Sequence, residues 1–368
     1  MPIPKKNQLV GLDIGSHSVK LVEIDDSKKG MILKSFGTIG LPKDAIVEGT
    51  IKEIEIVASS IKNLFKMLHV KNKNVATSIS GFSVIPKKIS ISKRDESELE
   101  SSIQEEAEQY IPFDISDVNL DYEILTREEE EVEPEPEPET EEGAKEEDSG
   151  LMDVMLVAAK KDIIEDYVSL IHLAGLNPAV LDVDAFAIQN AFEMSAEEIS
   201  GCYAIVSVGA EELGINAIKN RMSIFTRDSS YGGSQITEAI MSKLDTSYEE
   251  AEKIKLGGTK MDKERGTLEE IFTSSISGWV QEIKRALDFL STTYPDETIE
   301  KILITGGASR LPGFAKYLEM ETDIPIEQLN PFANLQINEK TFDPRYLNYM
   351  APQAGVAVGL ALRSIGDK

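Results

Sequence analysis

The sequence predicts a mixed α/β protein with two similar halves that face each other across a cleft. Strand-like and helix-like runs alternate along the 368 residues, which indicates this fold class. Residues 9–24 and 204–218, LVGLDIGSHSVKLVEI and AIVSVGAEELGINAI, each read as a strand, a small-residue turn and a returning strand. The turns at Gly15 and Gly209 lie 194 residues apart, about half of the chain. Two facing halves are the simplest architecture that explains this internal repeat.

The composition excludes several classes of protein. The chain has 65 acidic and 38 basic residues and a formal net charge of −27. This balance argues against nucleic-acid binding, because phosphate contacts need clustered Lys and Arg. The single Cys excludes an intramolecular disulfide, and three scattered His without Cys partners argue against a structural zinc site. We therefore expect a protein of the reduced cytoplasm.

Much of the negative charge is concentrated in residues 128–148, EEEEVEPEPEPETEEGAKEED. This segment contributes −12 of the −27. Its charges repel each other and it has little apolar surface to bury, so we expect a disordered, solvated loop. The alternative is an acidic docking tail for a basic partner. The segment separates two strand-like runs, 118–125 and 152–160, which we expect to be neighbours in a sheet.

Apolar spacing and helix-stop residues predict the helices. We expect them over 51–68, over 95–110 before Pro112, and over 162–174 before Gly175. A further stripe at helical spacing is expected to be core and contains Trp279, Ile283, Ala286 and Phe289.

No segment is expected to insert directly into a membrane. The longest weakly polar stretch, 351–362, is shorter than the ~20 residues of a spanning helix. The first residues lack the apolar core of a signal peptide, and the closing RSIGDK adds no amphipathic helix. We therefore expect any membrane attachment to come through a partner.

The first turn has the residues of a phosphate site. Gly15, Ser16 and Ser18 offer backbone amides and hydroxyls in a tight turn that can cradle phosphate oxygens. Lys20 adds positive charge, and Asp13 at the strand end can hold a hydrated Mg²⁺. A purely structural β-hairpin turn would also use Gly and Ser, so the turn alone leaves both interpretations open.

Three later features strengthen the nucleotide interpretation. Gly232 and Gly233 precede an apolar run, as in a glycine-rich loop that opens a helix and attracts anions. Glu252 and Lys255 lie three residues apart on one helical face, where they could reach a ribose hydroxyl or an adenine edge or form an ordinary surface ion pair. A buried strand breaks at Gly306-Gly307, which lets a flat base approach the backbone.

These pieces, in this order, resemble the actin/Hsp70/sugar-kinase superfamily. The motifs are DIGSHSVK for the first phosphate loop, SVGAEELGIN for the second, and ITGGASRLPG for adenosine. Within the superfamily the chain resembles the PilM family, actin-like proteins of type IV pilus assembly related to the cell-division protein FtsA. The segments EAEQYIPF and VAAKKD point to this branch, and the resemblance covers essentially the whole chain.

The resemblance implies an actin-like ATPase fold with two lobes around a nucleotide cleft and a small inserted α/β subdomain in the first lobe. The first lobe would comprise residues 1–81, 166–198 and 345–368. The inserted subdomain would span 82–165 and include the acidic loop. The second lobe would span 199–344.

The resemblance also implies ATP and Mg²⁺ as cofactors and a role for each matching residue. Asp13 would hold the metal. The other contacts would come from residues on both lobes. For the phosphates these are Gly15, Ser16, Ser18, Lys20, Gly209 and Ala210; for the ribose-phosphate side they are Gly232 and Gly233; for the ribose and base they are Glu252, Lys255, Gly306, Gly307 and Arg310.

One departure from the superfamily pattern bears on turnover. Many ATP-hydrolysing members have Asp two residues before the glycine of the second phosphate motif, where this chain has Ser207. A hydroxyl cannot replace a carboxylate as general base at neutral pH. Asp184 could orient a water or the metal shell as the catalytic carboxylate, or it could cap a helix. We therefore expect nucleotide binding with slow or negligible turnover.

By resemblance, the partner would be the short cytoplasmic N-terminal tail of a PilN-like inner-membrane protein. Such a tail could add a strand to a sheet edge, and it would hold the protein peripherally at the inner membrane. Pilus motor ATPases and self-association are further candidate interactions. Two alternatives remain: a polymerising cytoskeletal protein like FtsA, or a small-molecule kinase, which Ser207 disfavours.

Overall fold

Two five-stranded sheets dominate the computed structural model, which describes residues 8–27, 30–125, 150–196, 199–258 and 264–367. The strands are β1 Val10–Ile14, β2 Ser18–Ser27, β3 Gly30–Gly40, β4 Ile46–Val47, β5 Thr50–Ile51, β6 Asn74–Ile79, β7 Val84–Ser92, β8 Val118–Leu125, β9 Leu151–Lys160, β10 Asn177–Val183, β11 Cys202–Val208, β12 Leu213–Lys219, β13 Met222–Ser229, β14 Ile299–Thr305 and β15 Ile326–Gln328. The α-helices are α1 Ile54–Met67, α2 Glu96–Ala107, α3 Lys161–Leu173, α4 Asp184–Ser195, α5 Gly233–Leu244, α6 Tyr248–Lys255, α7 Arg265–Thr293, α8 Phe314–Thr322, α9 Pro344–Met350 and α10 Gly355–Ala361.

The two large sheets have the same topology. The first has the order β10-β6-β1-β2-β3, and the second, written in the same direction, is β15-β14-β11-β12-β13. In each sheet the first three strands of this order are parallel neighbours, and the last three, counted from the shared middle strand, are antiparallel neighbours. This confirms the predicted internal repeat, because the matched segments 9–24 and 204–218 form the equivalent hairpins β1–β2 and β11–β12.

The helix predictions are confirmed to within a few residues at their ends. Helix α1 begins three residues later than predicted, at Ile54. Asp95 is the N-cap of helix α2, and its carboxylate accepts a hydrogen bond from the Glu98 amide. This bond satisfies one of the free amide donors in the first turn of the helix. Helix α3 ends before Gly175, as predicted, and this glycine has a positive φ of 76°.

The apolar stripe of α7 is buried for only part of its predicted length. Trp279, Ile283 and Ala286 are fully buried, and Trp279 packs edge-on against Phe314 with 5.8 Å between ring centroids. Phe289 was predicted to be core, and this is wrong, because 54% of its surface is exposed. It lies near the end of the helix and tilts against Phe225 instead.

Residues Val84–Lys161 form one compact unit, and Met1–Ser83 with Asp162–Lys368 form the other. Within the smaller unit, a sheet of order β7-β9-β8 shares an apolar core with α2, centred on the fully buried Leu99 and Leu156. The pairing of β8 with β9 confirms the predicted neighbouring strands. The acidic segment 128–148 lies outside the described residues.

Candidate functional site

A cavity of about 1470 Å³ lies within the larger unit, where several strands of both large sheets end. The carboxyl ends of β1, β6, β11 and β14 all reach it, since Ile14, Ile79, Ser207 and Thr305 line its wall. The carboxyl ends of parallel strands are where open α/β sheets place their ligands. The cavity is therefore the candidate site, and its lining includes nearly all the residues singled out in the sequence.

The first predicted phosphate turn connects β1 to β2 at the cavity wall. The Gly15 amide donates to the Ser18 carbonyl oxygen at 3.2 Å, which closes the turn. Opposite each other on the two strands, Lys20 Nζ and Asp13 Oδ2 form a largely buried ion pair at 2.9 Å. The turn is thus a structural hairpin that also presents Asp13, Ser16 and Lys20 to the cavity.

The second predicted phosphate loop and the glycine loop before α5 lie against each other. The amides of Gly233 and Ser234 donate to the carbonyl oxygens of Gly209 and Ala210 at 3.0 and 2.8 Å. A β-carbon at Gly232 would lie 2.3 Å from the Ala210 oxygen, so only glycine fits. The first two amides of α5 are therefore satisfied by protein, and these glycines serve to bring two backbones together.

Glu252 and Lys255 form an ion pair at 2.6 Å on α6, with only 13% of each side chain exposed. Lys255 also donates to Thr237 Oγ1 at 2.8 Å and to the Gly233 carbonyl at 3.3 Å. The Thr237 hydroxyl in turn donates to Glu252. The pair is therefore a buried network beside the start of α5, within the cavity wall, and is unlike an ordinary surface ion pair.

The third predicted motif lies beside the second. Gly306 follows β14 with a positive φ of 88°, and its amide donates to the Pro352 carbonyl at 2.6 Å. Arg310 stacks on the Tyr349 ring with 4.2 Å to its centroid and donates to the Tyr349 carbonyl oxygen at 2.9 Å. This stacking fixes the guanidinium at the cavity wall, where both residues are exposed to the cavity.

Asp184 is the first residue of α4 and faces the cavity. Val183 occupies the N-cap position, and no side chain caps the helix, so the capping role considered from the sequence is wrong. The Ser78 hydroxyl donates to Asp184 Oδ1 at 2.5 Å. Burial, reinforced by the charge of Asp13, raises the pKa of Asp184 to about 7.

Sequence reasoning missed a group of acidic side chains beside β12 and β13 in the cavity wall. Glu212 accepts a hydrogen bond from the Ser80 hydroxyl at 3.1 Å, and Asp228 accepts one from the Gly81 amide at 3.2 Å. Burial raises the pKa of Asp228 to about 6. Burial also raises the pKa of Glu212 well above its usual range, and the charges of Asp228 and Asp184 raise it further. Glu212 lies inside the second predicted phosphate motif, so the sequence could have identified it as a cavity residue. Asp228 belongs to no nucleotide motif, so no sequence signal pointed to it.

The raised pKa of Asp184 gives a pH prediction. In the folded state the neutral carboxyl is favoured, so the free energy of unfolding should fall as the pH rises from about 4 to about 7. Asp184→Asn keeps an acceptor for Ser78 and removes this loss. We expect the variant to be more stable than the wild type by about 1 to 3 kcal/mol at pH 8 and nearly equal to it at about pH 3.5, below the pKa of the unfolded carboxyl. Urea unfolding at both pH values checks this, and an equal difference at both would contradict it.

The charges around the cavity fit a nucleotide that arrives with a divalent cation. Its described lining contains eight acidic residues, Asp13, Glu48, Asp184, Glu211, Glu212, Asp228, Glu252 and Glu269, and four basic ones, Lys20, Lys255, Arg265 and Arg310. A polyanion entering this surface needs added positive charge. Among the described residues no cluster of three or more His, Cys, Asp and Glu could hold a metal alone. Mg²⁺ characteristically uses one or two carboxylates together with phosphates of its ligand, and Asp13 fits that pattern.

No helix in the described part of the chain is long and apolar enough to cross a membrane.

Comparisons with known proteins agree with this fold. The chain matches the family model described as type IV pilus assembly protein PilM over residues 11–138 and 139–365. It superposes on a chain of a PilM-PilN type IV pilus biogenesis complex with a TM-score of 0.83 and 28% identity, covering 99% of this chain and 100% of that one.

Two more distant likenesses concern the fold alone. The ethanolamine utilization protein EutJ from Carboxydothermus hydrogenoformans superposes with a TM-score of 0.54 and 16% identity, covering 98% of this chain and 90% of that one. MreB 5 of Spiroplasma citri, bound to AMPPNP, superposes with a TM-score of 0.50 and 12% identity, covering 97% of this chain and 95% of that one. These two establish only that the fold is the two-lobed actin-like one.

Proposed function

The chain belongs to the PilM family of type IV pilus assembly proteins, and from this we propose that it is an ATP-binding scaffold that captures the cytoplasmic N-terminal tail of a PilN-like inner-membrane protein. The observation that carries the proposal is the full-length likeness to a chain of a PilM-PilN complex. The cavity supports the nucleotide part of the proposal, and the likeness supports the partner. In this account the protein works in the cytoplasm and is held at the inner membrane by the tail.

The nucleotide part assigns a role to each wall of the cavity. Asp13 holds Mg²⁺, which supplies positive charge to the phosphates. The phosphate contacts come from residues of the first turn and the second loop, and the base and ribose contacts from the loops beyond. These are Gly15, Ser16, Ser18, Lys20, Gly209 and Ala210 for the phosphates, Gly232 and Gly233 for the ribose-phosphate side, and Glu252, Lys255, Gly306, Gly307 and Arg310 for the ribose and base.

We propose slow turnover for this site. Ser207 lines the cavity at the end of β11, where a catalytic carboxylate would otherwise stand. Asp184 is left to orient a water or the metal shell, and with a pKa of about 7 it is only partly ionised at neutral pH. We expect the purified protein to hydrolyse ATP far more slowly than the ~1 per second typical of enzymes.

The partner tail would bind as an extended segment at a sheet edge. In the smaller unit, β7 and β8 are the edges of the three-stranded sheet. Main-chain hydrogen bonds to such an edge give affinity, and pockets for alternate side chains give specificity. Residues 82–165, assigned to the inserted subdomain from the sequence, contain both edge strands.

Fluorescence anisotropy with a labelled peptide tests the partner. The peptide should have the N-terminal sequence of the PilN-like protein encoded by the same organism, and a scrambled peptide of equal composition serves as the control. We expect saturable binding of the native sequence with a dissociation constant on the order of micromolar, about −8 kcal/mol, in the presence of Mg²⁺ and ATP. Equal or absent binding of both peptides to folded protein would refute the scaffold proposal.

A further inference from the structure

Glu211, in the second phosphate motif, reaches across the cavity to the first phosphate turn. Its Oε2 atom accepts a hydrogen bond from the Ser16 hydroxyl at 2.8 Å. The same oxygen accepts a second one from the Glu48 backbone amide, also at 2.8 Å. A single carboxylate oxygen therefore occupies a position formed by two donors from separate elements.

The second donor belongs to a hairpin tip with an uncommon backbone conformation. Between β4 and β5, Glu48 and Gly49 both have positive φ, 47° and 75°, as in the tight turns that join two antiparallel strands. A non-glycine residue in this region costs roughly 1 kcal/mol, and here it orients the Glu48 amide towards Glu211. The buried Tyr167 hydroxyl donates to the Gly49 carbonyl oxygen at 3.3 Å and fixes the tip from behind.

Within the described residues, Glu211 forms no ion pair with a Lys or Arg side chain. Among the described residues, the lysines of the cavity are committed elsewhere, Lys20 to Asp13 and Lys255 to Glu252. Glu211 thus relies on a hydroxyl and a backbone amide, the donors that proteins use to hold phosphate oxygens.

We propose that the Ser16 hydroxyl and the Glu48 amide form a phosphate site, which Glu211 fills in this structure and which the terminal phosphate of a nucleoside triphosphate takes over. The proposal rests on the nucleotide binding proposed above and adds a ligand atom, the Glu48 amide, and a competitor, Glu211. Two anions cannot share the same two donors without strong repulsion, so Glu211 has to move when a terminal phosphate binds. A diphosphate leaves the site to Glu211, which therefore lowers the affinity for triphosphate relative to diphosphate.

Calorimetric affinities for MgATP and MgADP test the competition, with Glu211→Gln as the variant and Glu269→Gln as its matched control. Glu269 lines the same cavity and loses the same charge, but it pairs with Arg265 at 2.9 Å away from the phosphate turn. We expect Glu211→Gln to raise the affinity for MgATP about 10-fold and the affinity for MgADP less than about 2-fold. Glu269→Gln should leave the ratio of the MgATP and MgADP affinities at the wild-type value. An unchanged ratio in Glu211→Gln, with wild-type binding intact, would overturn this inference alone.

Amide hydrogen exchange over residues 46–51 provides a readout that needs no nucleotide. Removing the acceptor in Glu211→Ala should speed exchange of the Glu48 amide about 10-fold or more, whereas Glu269→Ala should leave it unchanged. Equal exchange in Glu211→Ala and wild type would also overturn the inference. If folded wild-type protein binds no nucleotide at all, the proposed function fails, and the phosphate site fails with it.

Discussion

Replacing Gly306 with Ala is expected to lower the free energy of unfolding by about 3 to 5 kcal/mol and to abolish nucleotide binding. The φ of 88° and ψ of 159° at this position are essentially restricted to glycine. In addition, an added β-carbon would lie 2.3 Å from the Val208 carbonyl oxygen and 2.6 Å from its carbon. Both are backbone atoms of β11, the strand next to β14, so neither can move aside cheaply.

The neighbouring glycine is a matched control for this prediction. At Gly307 the nearest atom to an added β-carbon is 3.9 Å away, and φ is not positive. Gly307→Ala should therefore cost less than about 1 kcal/mol. Thermal unfolding of both variants distinguishes them, with an expected drop on the order of 10 °C for Gly306→Ala. Similar melting temperatures for the two variants would contradict the close packing of Gly306 on Val208.

Asp13→Asn is expected to weaken binding of the Mg²⁺ complex of ATP by about 100-fold or more. The carboxylate is the cavity's metal ligand in this account, and an amide is a much poorer ligand for Mg²⁺. The substitution also releases Lys20, which is paired with Asp13 at 2.9 Å. The freed ammonium can then interact with phosphate directly, so the metal-free nucleotide should lose little affinity.

Calorimetry with Mg²⁺ and with EDTA separates these two effects. The wild type should bind ATP far more tightly with Mg²⁺ than with EDTA, and the variant should bind it about equally in both. A variant that keeps the wild-type dependence on Mg²⁺ would show that Asp13 is not the metal ligand. Thermal unfolding of both proteins shows whether any loss of binding comes from loss of fold.

The parts of the fold that follow local rules were predictable from the sequence. The repeated hairpins were visible as a repeated pattern, because a strand, a small-residue turn and a returning strand need the same residue types in both halves. The helix ends were visible through Asp95 and Gly175, which act within one turn of the chain. Phe289 was misjudged because helical spacing predicts a face and does not show where the neighbouring element stops covering it.

The parts of the site that depend on distant residues were not predictable. The glycine motifs identified the loops, but the pairing of Glu211 with Ser16 joins residues 195 positions apart. The Glu48 amide carries no side-chain signal at all, since any residue but proline has one. Asp228 lies in a strand without any nucleotide motif, and its pKa is raised by burial, against the lowering effect of the hydrogen bond from the Gly81 amide.

Because the proposed scaffold binds both a nucleotide and the partner tail, we expect nucleotide bound in the cavity, without being hydrolysed, to change the affinity for the tail through linkage between the two sites. The direct test is calorimetric titration of the native tail peptide into protein with no nucleotide, with MgATP and with MgADP, followed by analysis of the recovered nucleotide. We expect MgATP to change the tail affinity by at least about 5-fold relative to nucleotide-free protein, the lower end of typical allosteric coupling, with ATP recovered intact. Equal tail affinity in all three states, with the nucleotides shown to be bound, would contradict it.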